Sequence, residues 1–221
     1  MIKVVQNDSG VPAGSYGAYL DLQGIDWELV PVDRQTPFPA PAEEDALILL
    51  GGYMSVAQTD RYPYLIQVKQ GLRRWLDAGR PLLGVCLGGQ LLAEAAGGSV
   101  TCNCRGERGM LPIELTAAGL ADPLFAGLPT PFLSMQWHND CFTVPPMAVH
   151  LAATEACPGQ AFRVGLAAYG VQFHPELTAG IVKRWSEKLR LDEEPLNEFL
   201  AHEATYRKGS LRLLQNFLDM A

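Results

Sequence analysis

Residues 81 to 90 read Pro-Leu-Leu-Gly-Val-Cys-Leu-Gly-Gly-Gln, and this stretch predicts both a type of fold and a type of chemistry. An apolar run leads into Cys86, Gly84 and Gly88 stand two residues to either side, and a helical pattern rich in leucine and alanine follows. This pattern is typical of a nucleophile on a sharp turn from a strand into a helix, where flanking side chains would collide. The alternative is a buried cysteine between two glycines that serve packing alone.

The predicted position of Cys86 also favours a reactive thiol. The start of a helix offers unpaired N–H groups and the positive end of the helix dipole. Both stabilise the thiolate, which is the form of cysteine that attacks. The sequence therefore predicts a nucleophilic cysteine at this turn.

Short apolar runs alternate with helical patterns over the first hundred residues. We predict strands at 2–6, 27–32, 46–50 and 82–85, and helices at 16–23, 64–77 and 87–96. Repeated strand, helix and strand units predict a parallel sheet with right-handed crossovers, and such sheets bind ligands at the carboxyl ends of their strands. Gly52, Cys86 and His174 all follow such ends.

After residue 100 the pattern becomes rich in strands, which we predict at 111–115, 132–137, 149–154, 160–164 and 167–173. These strands predict an antiparallel extension of the sheet. The last of them leads into His174, Pro175 and Glu176.

His174 and Glu176 form a second candidate pair. Residues two apart in extended backbone project to the same side, and Pro175 disfavours the helical region for His174. The spacing suits an imidazole with one nitrogen held by a carboxylate while the other faces a thiol. The alternative is an exposed histidine and glutamate at a strand end.

Together these segments resemble the class I glutamine amidotransferases, which use a catalytic triad. The matching segments are 50–55, 84–90 and 172–176, with weaker matches at 137–140 and 160–163. The likeness covers about residues 1–190 and is nearest to the stand-alone GMP-synthase-like amidotransferases. It implies an α/β fold, a flavodoxin-like three-layer sandwich with a central, mostly parallel sheet and a small antiparallel extension.

The resemblance also implies a reaction and its residues. Cys86, His174 and Glu176 would hydrolyse the side-chain amide of glutamine through a γ-glutamyl thioester, and ammonia would pass to a separate acceptor or synthetase. The backbone amides of Gly52 and Leu87 would form the oxyanion hole. The resemblance implies no cofactor and no metal.

Substrate contacts follow from the same resemblance. The implied substrate-binding residues are Gln90, Gly51, Trp137, His138, Asn139 and Asp140. Gln90 could instead cap the helix after Cys86 or face solvent, and His138 could be a second base, although a role in shaping its loop is favoured. Tyr53 stands where many relatives have proline, and Asn139 where they commonly have glycine. A role for Glu107 near the active site stays open.

Composition indicates one compact domain, and the family resemblance fades beyond about residue 191, where an acidic break with a proline follows at 192–195. We therefore expect a domain at 1–190 with a C-terminal helical extension at 191–221 packed on it. The chain has 221 residues, 48% of them hydrophobic, enough for one large α/β core. Its formal charge of −7 disfavours nucleic-acid binding. No apolar segment has the length of a membrane span, and the polar N-terminal residues do not form a signal peptide. We therefore expect a cytoplasmic protein with no membrane contact.

The five cysteines indicate a reducing compartment, because their number is odd and Cys86 must stay free. Two short clusters, Cys102 with Cys104 and His138 with Cys141, could hold a structural zinc. Zinc sites favour wider cysteine spacing, so we expect Cys102 and Cys104 to be ordinary loop thiols. Residues 105–108 are expected to form a solvated turn rather than an anion site.

Three further predictions concern packing. The proline-rich segment 36–41 is expected to be a surface loop rather than a domain linker or a polyproline ligand. Two C-terminal helical segments, 196–205 and 211–220, are expected to pack on the domain rather than to form a subunit interface. Trp75 and Trp185 are expected to be packing residues, with Trp137 the only tryptophan near the pocket.

Three classes of function remain open at this stage. The first is an ammonia-releasing glutaminase that works with a separate synthetase, since the chain has no phosphate-binding loop of its own. The second is a free-standing hydrolase of γ-glutamyl amides or peptides. The third, a binding module without catalysis, is disfavoured by the intact Cys86, His174 and Glu176. Ammonia release from glutamine, compared with amine release from γ-glutamyl compounds, separates the first two.

Overall fold

A computed structural model of the protein describes residues 1–43, 45–104 and 106–221. Its strands are β1 Ile2–Gln6, β2 Trp27–Pro31, β3 Ala46–Leu49, β4 Leu82–Val85, β5 Val100–Thr101, β6 Glu107–Leu115, β7 Phe132–His138, β8 Cys141–Phe142, β9 Val149–Ala153, β10 Ala161–Val164 and β11 Ala168–Val171. Its α-helices are α1 Gly14–Gln23, α2 Tyr64–Asp77, α3 Leu87–Ala95, α4 Ala117–Leu120, α5 Ala179–Leu189 and α6 Glu194–Leu218.

Across these described ranges, nine strands form one sheet in the order β2-β1-β3-β4-β11-β10-β9-β6-β7. The first five strands are parallel, in the strand order of flavodoxin-like folds, and the pairs from β11 to β7 are antiparallel. The predicted fold class, a mostly parallel sheet with an antiparallel extension, is therefore confirmed. Strands β5 and β8 form a separate antiparallel pair.

Helices cover both faces of the sheet, and an apolar layer lies beneath each set. Strands β3 and β4 are buried at every position, as expected for central parallel strands with helices on both sides. On one face, Leu72 and Trp75 of α2 pack with residues of α3. On the other face, Leu20 of α1 packs with Leu214 and Phe217 of α6. These two layers give the predicted three-layer arrangement.

The carboxyl ends of β3, β4 and β11 meet at one edge of the sheet. In the parallel register Leu49 pairs with Gly84, and Val85 pairs with Val171. Each strand is followed by a segment that the sequence analysis marked, so the segments that begin at Gly51, Cys86 and Gln172 lie side by side.

The C-terminal region differs from its prediction. A single helix, α6, replaces the two expected segments. The polar stretch between those segments stays helical because Tyr206 and Ser210 face inward and bond to backbone carbonyls of the loop after β11. Helix α5, which the sequence analysis did not identify, buries Ile181, Val182 and Trp185.

Residues 36–41 form a loop between β2 and β3, as predicted, and the Pro39 carbonyl accepts a 2.9 Å hydrogen bond from Trp75 Nε1. Among the residues the structure describes, no helix combines the length and the apolar character that a membrane span requires.

Candidate active site

Cys86 lies on a sharp turn between β4 and α3, with φ +52° and ψ −109°. Residues other than glycine are strained at these backbone angles, so the surrounding structure must hold Cys86 in this conformation. A Cβ added to Gly84 would lie 2.5 Å from the Gly88 carbonyl oxygen, and one added to Gly88 would overlap the Leu49 carbonyl. The steric reason predicted for both glycines therefore holds.

His174 lies against Cys86, and Glu176 holds its far side. His174 Nδ1 is 2.7 Å from Glu176 Oε1, and the imidazole lies beside the Cys86 side chain, near enough for the charges of the two groups to interact. Gly51 closes this group, since a Cβ there would lie 3.1 Å from His174 Cε1 and 3.6 Å from Cys86 Cβ. The structure thus brings Cys86 together with a histidine and a glutamate from a segment nearly ninety residues further along the chain.

The environment of His174 favours its protonated form. Burial alone lowers the pKa of this imidazole, but the Glu176 carboxylate and the Cys86 sulfur outweigh burial and raise the pKa to about 10. A protonated imidazole beside Cys86 stabilises negative charge on the sulfur. His174 therefore presents a positively charged ring to Cys86.

Gly52 lies next to the start of α3. A Cβ added to Gly52 would be 2.7 Å from Leu87 Cδ2 and 2.5 Å from Met54 Sδ. The loop before it is tied down, because Asn7 Nδ2 donates to the Leu50 carbonyl at 2.7 Å. The two residues proposed for the oxyanion hole are therefore close neighbours.

Trp185 of α5 contacts the triad, which corrects one expectation. Its ring centroid lies 5.1 Å from that of His174, 5.5 Å from Trp137 and 5.9 Å from Tyr53, all edge to face. Its Nε1 donates a 2.9 Å hydrogen bond to the Gly10 carbonyl. Trp137 is thus not the only tryptophan near the pocket. The helical spacing of Ile181, Val182 and Trp185 is the signal that could have revealed α5.

Gln90 is buried and ties two parts of the site together. Its Nε2 donates to the Asp140 carbonyl at 3.1 Å and to Gln172 Oε1 at 3.3 Å. It therefore neither faces solvent nor caps α3. Gln172 Nε2 lies 3.8 Å from Cys86 Sγ. The sequence analysis gave Gln172 no role of its own, although it lies in the segment that carries His174.

His138 fixes the loop after β7. Its Nδ1 is 3.0 Å from the Asp140 carbonyl, and its Nε2 is 3.2 Å from Glu107 Oε2 on the neighbouring strand β6. Both ring nitrogens are engaged, so the structure agrees with a role in shaping the loop. Asn139, the next loop residue, is exposed.

Glu107 belongs to a buried hydrogen-bond network and not to a solvated turn. It accepts a 2.6 Å bond from Gln160 Nε2 and a 2.7 Å bond from Thr154 Oγ1. Together with Arg108 it begins β6, so the turn expected at 105–108 is wrong for these two residues. The first residue of that range, Arg105, lies outside the described residues.

The cysteines also differ from expectation. Cys104 forms a disulfide with Cys141, so the prediction of an ordinary thiol at Cys104 is wrong, and these two sulfurs are not free to bind zinc. Cys86, Cys102 and Cys157 are free thiols. The disulfide joins the turn after β5 to the start of β8, a contact that no local pattern indicates.

One three-residue group in the described part of the chain has metal-ligating atoms within 4.8 Å of one another, namely Glu107, His138 and Cys157. Burial raises the pKa of the Cys157 thiol to about 12, with a smaller contribution from Glu107. Metal ligation needs the thiolate, and the Glu107 oxygens already accept hydrogen bonds. The group therefore fits a hydrogen-bond network better than a metal centre.

A cavity of about 500 Å³ opens above Cys86. Its lining combines the loop after β3, the loop after β7 and the start of β6. The residues that line it are Gly52, Tyr53, Met54, Ser55, Ala57, Gln58, Cys86, Gln90, Cys102, Asn103, Arg108, Trp137, His138, Asn139, Asp140 and Leu189. Most of the predicted substrate-binding residues are in this set. Gly51 lies beneath it, against the triad.

A thiol on a strained turn, beside an imidazole that a carboxylate holds, is the arrangement of enzymes that transfer acyl groups through cysteine. The family model for class-I glutamine amidotransferases matches residues 16–184. The chain therefore belongs to the class-I glutamine amidotransferase family.

Known relatives agree with this assignment. The chain is similar to the glutamine amidotransferase-like protein YfeJ of Salmonella typhimurium, at 35% identity over 82% of this chain and 78% of that protein. It is also 33% identical to a glutamine-hydrolyzing GMP synthase of Thermus thermophilus, over 80% of this chain and only 37% of the synthase.

The fold has a similar counterpart among solved structures. A glutamine amidotransferase from Thermotoga maritima superimposes with a TM-score of 0.88 at 27% identity, covering 100% of this chain and 98% of that one. The likeness therefore extends through α6 and is not confined to the residues that the family model matches.

Proposed function

We propose that the protein hydrolyses the side-chain amide of glutamine to glutamate and ammonia, with Cys86 as nucleophile, His174 as acid and base, and Glu176 as the group that orients His174. The observation that carries this proposal is the buried position of His174, which lies beside Cys86 at Gly51 and is bonded to Glu176. The chain's relatives support it, because a similar GMP synthase is named for glutamine hydrolysis.

In the first half of the reaction, the Cys86 sulfur attacks the amide carbon and forms a tetrahedral oxyanion. Protonated His174 then donates its proton to the amide nitrogen, and the carbon–nitrogen bond breaks. Ammonia leaves, and a γ-glutamyl thioester remains on Cys86. The raised pKa of His174 suits this step, because the imidazole begins as the acid that the leaving nitrogen needs.

In the second half, neutral His174 removes a proton from water while the water oxygen attacks the thioester carbon. The carbon–sulfur bond then breaks, glutamate leaves, and the thiolate and imidazolium are restored. The sum of both halves is glutamine plus water giving glutamate plus ammonia, so no further reactant is needed. Glu176 keeps the His174 ring oriented both when His174 donates its proton and when it accepts one.

The backbone amides of Gly52 and Leu87 would stabilise both oxyanions. Each donor of this kind typically lowers the barrier by about 3 kcal/mol. The close packing of Gly52 against Leu87 supports the assignment, because a side chain at Gly52 would force the two residues apart. Gln90 and the loop from Trp137 to Asp140 would hold the rest of the substrate, since they line the same cavity.

The test is ammonia release from L-glutamine together with mass spectrometry after exposure to the alkylating analogue 6-diazo-5-oxo-L-norleucine. We expect one adduct, on Cys86, and loss of turnover in Cys86→Ala. Cys102→Ala is the matched control, because Cys102 is a free thiol that lines the same cavity. Full turnover in Cys86→Ala, or an adduct on Cys102 alone, would overturn the proposal.

The ammonia would serve a separate synthetase or acceptor enzyme. This proposal is supported by the relatives, because a similar GMP synthase is named for glutamine hydrolysis. A synthetase that co-purifies with the protein and raises its glutaminase rate would support it, whereas rapid turnover of other γ-glutamyl amides by the isolated chain would favour a free-standing hydrolase.

We propose the cytoplasm as the compartment, because Cys86 must remain a thiol. Thiol labelling in intact cells measures whether Cys104 and Cys141 are joined by their disulfide or reduced. If this pair is oxidised in cells whose other cytoplasmic thiols stay reduced, the disulfide forms within the cytoplasm. Export of the protein would contradict the cytoplasmic assignment.

A further inference from the structure

We propose that Arg108 binds the α-carboxylate of the substrate, so that the enzyme takes free γ-glutamyl amino acids and rejects glutamine whose α-carboxyl group is blocked. This inference rests on the proposed function, because it assumes that the γ-amide lies at Cys86. It names a specificity-determining residue, Arg108, whose side chain is exposed and lines the cavity above that thiol.

The charges of the cavity support this placement. Among the described residues that line it, Arg108 carries the only fixed positive charge and Asp140 the only carboxylate. Within residues 1–43, 45–104 and 106–221, no carboxylate lies within 4.0 Å of the Arg108 guanidinium. The two charges thus face one cavity without neutralising each other.

A cavity with separate positive and negative groups fits a zwitterion. The α-carboxylate of glutamine would bind Arg108, and its α-ammonium group would bind Asp140, which the family resemblance already places in the substrate loop. Asp140 is held for this role, since its Oδ1 accepts a 2.9 Å hydrogen bond from the Asn103 amide and its carbonyl accepts from Gln90. Opposite charges at the two α-substituents leave the side chain free to extend toward Cys86.

Arg108 is positioned relative to the triad through a chain of aromatic contacts. Its guanidinium carbon lies 5.3 Å from the centroid of the Trp137 ring, its partner in the β6–β7 register. Trp137 packs edge to face on Trp185, and Trp185 packs on His174. Stacking uses the face of the guanidinium and leaves its N–H edge able to form paired bonds to a carboxylate.

The consequence is a substrate filter at the α-carbon. Arg108 contributes only when a free carboxylate is present, so glutamine within a protein chain would bind without this contact. Substituents on the γ-amide nitrogen lie at the other end of the molecule and leave the contact unchanged. The substrate class is therefore free L-glutamine and related γ-glutamyl compounds with an unblocked α-carboxylate.

The test compares two substrates on two arginine variants. L-Glutamine carries the α-carboxylate, and L-glutaminamide replaces it with a neutral amide; mass spectrometry identifies the γ-deamidated product of each. We expect Arg108→Gln to lower kcat/KM for glutamine about ten- to a hundredfold, mainly through KM, and to leave kcat/KM for glutaminamide unchanged. Arg61→Gln is the matched control, because Arg61 also lies over an aromatic ring, 5.4 Å from Tyr62, but does not line the cavity.

Binding measured without turnover separates this inference from the proposed function. We expect calorimetry on Cys86→Ala to show glutamine binding that Arg108→Gln weakens by the same factor. Binding of this kind with no turnover in the native protein would contradict the proposed reaction and support the role of Arg108. Equal effects of Arg108→Gln on both substrates, or no effect on glutamine, would overturn the inference.

Discussion

The Tyr206 hydroxyl donates a 2.8 Å hydrogen bond to the backbone carbonyl of His174. The same hydroxyl accepts a 2.9 Å bond from the Leu177 amide, so one side chain of α6 spans both ends of the loop that carries Glu176. Burial and the Glu176 carboxylate raise the pKa of Tyr206 far above its usual range, which keeps the hydroxyl protonated and able to donate. The C-terminal helix therefore holds the candidate triad in place.

Removing this hydroxyl should affect both stability and turnover. We expect Tyr206→Phe to lower the free energy of unfolding by about 1–3 kcal/mol, because it leaves a buried carbonyl and amide unpaired. We expect kcat to fall more than KM rises, because the loop carries His174. Urea unfolding and steady-state glutaminase assays measure both. Tyr19→Phe is the control, since the Tyr19 hydroxyl bonds Gln215 instead of the triad loop.

Trp185 should act as a positioning residue for His174. We expect Trp185→Phe to cost roughly 1–3 kcal/mol of stability, through lost packing and the lost bond to Gly10, and to lower kcat with a shifted pH profile. Trp75→Phe is matched to it, because Trp75 is also buried and also bonds a backbone carbonyl, but on the opposite face of the sheet. If the pH dependence of kcat is unchanged in Trp185→Phe, the role of Trp185 is packing alone and not the positioning of His174.

A side chain at position 52 should impair catalysis if the backbone amide of Gly52 donates a hydrogen bond to the oxyanion. We expect Gly52→Ala to fold but to lose about a hundredfold in kcat, because the added Cβ meets Met54 and Leu87 and displaces the loop. Gly209→Ala is the control, since no atom lies within 4 Å of its added Cβ and alanine favours the helix. Glutaminase activity near the native value in Gly52→Ala would argue against this amide.

His174 should titrate far above an ordinary histidine. With the pKa raised from 6.5 to about 10, the folded protein keeps a proton that the unfolded chain releases. This stabilisation is complete below about pH 6.5 and is lost as the pH rises through about 10. NMR titration of the histidine rings and urea unfolding at several pH values measure the effect.

The controls for this titration use the partners of His174. Glu176→Gln should lower the pKa of His174 and flatten the decline of stability above pH 6.5, because the charge that favours the imidazolium is gone. His202→Gln, which alters an exposed histidine of α6, should keep the native decline. If stability still declines above pH 6.5 in Glu176→Gln as it does in the native protein, the decline arises from a group other than His174.

Local patterns were sufficient for most elements near the sheet centre. Continuous apolar runs predicted β3 and β4, and the glycines around Cys86 predicted the strained turn, because both signals depend on neighbours in sequence. Local patterns were misleading at α6, where the polar residues between 205 and 211 predicted a break between two helices. That interval is helical because Tyr206 and Ser210 find their partners in a loop more than thirty residues away, His174 for Tyr206 and Pro175 for Ser210.

By itself, the sequence was enough to determine the class of fold, the elbow at Cys86 and the pairing of His174 with Glu176, since strand periodicity and steric demands act over a few residues. Only the tertiary structure decided that Trp185 packs on His174 and that Cys104 bonds Cys141. It likewise placed Arg108 without an ion-pair partner, among the described residues, beside the candidate nucleophile's cavity. Each of these contacts joins residues from different elements of the fold, so no pattern among neighbours in sequence predicts them.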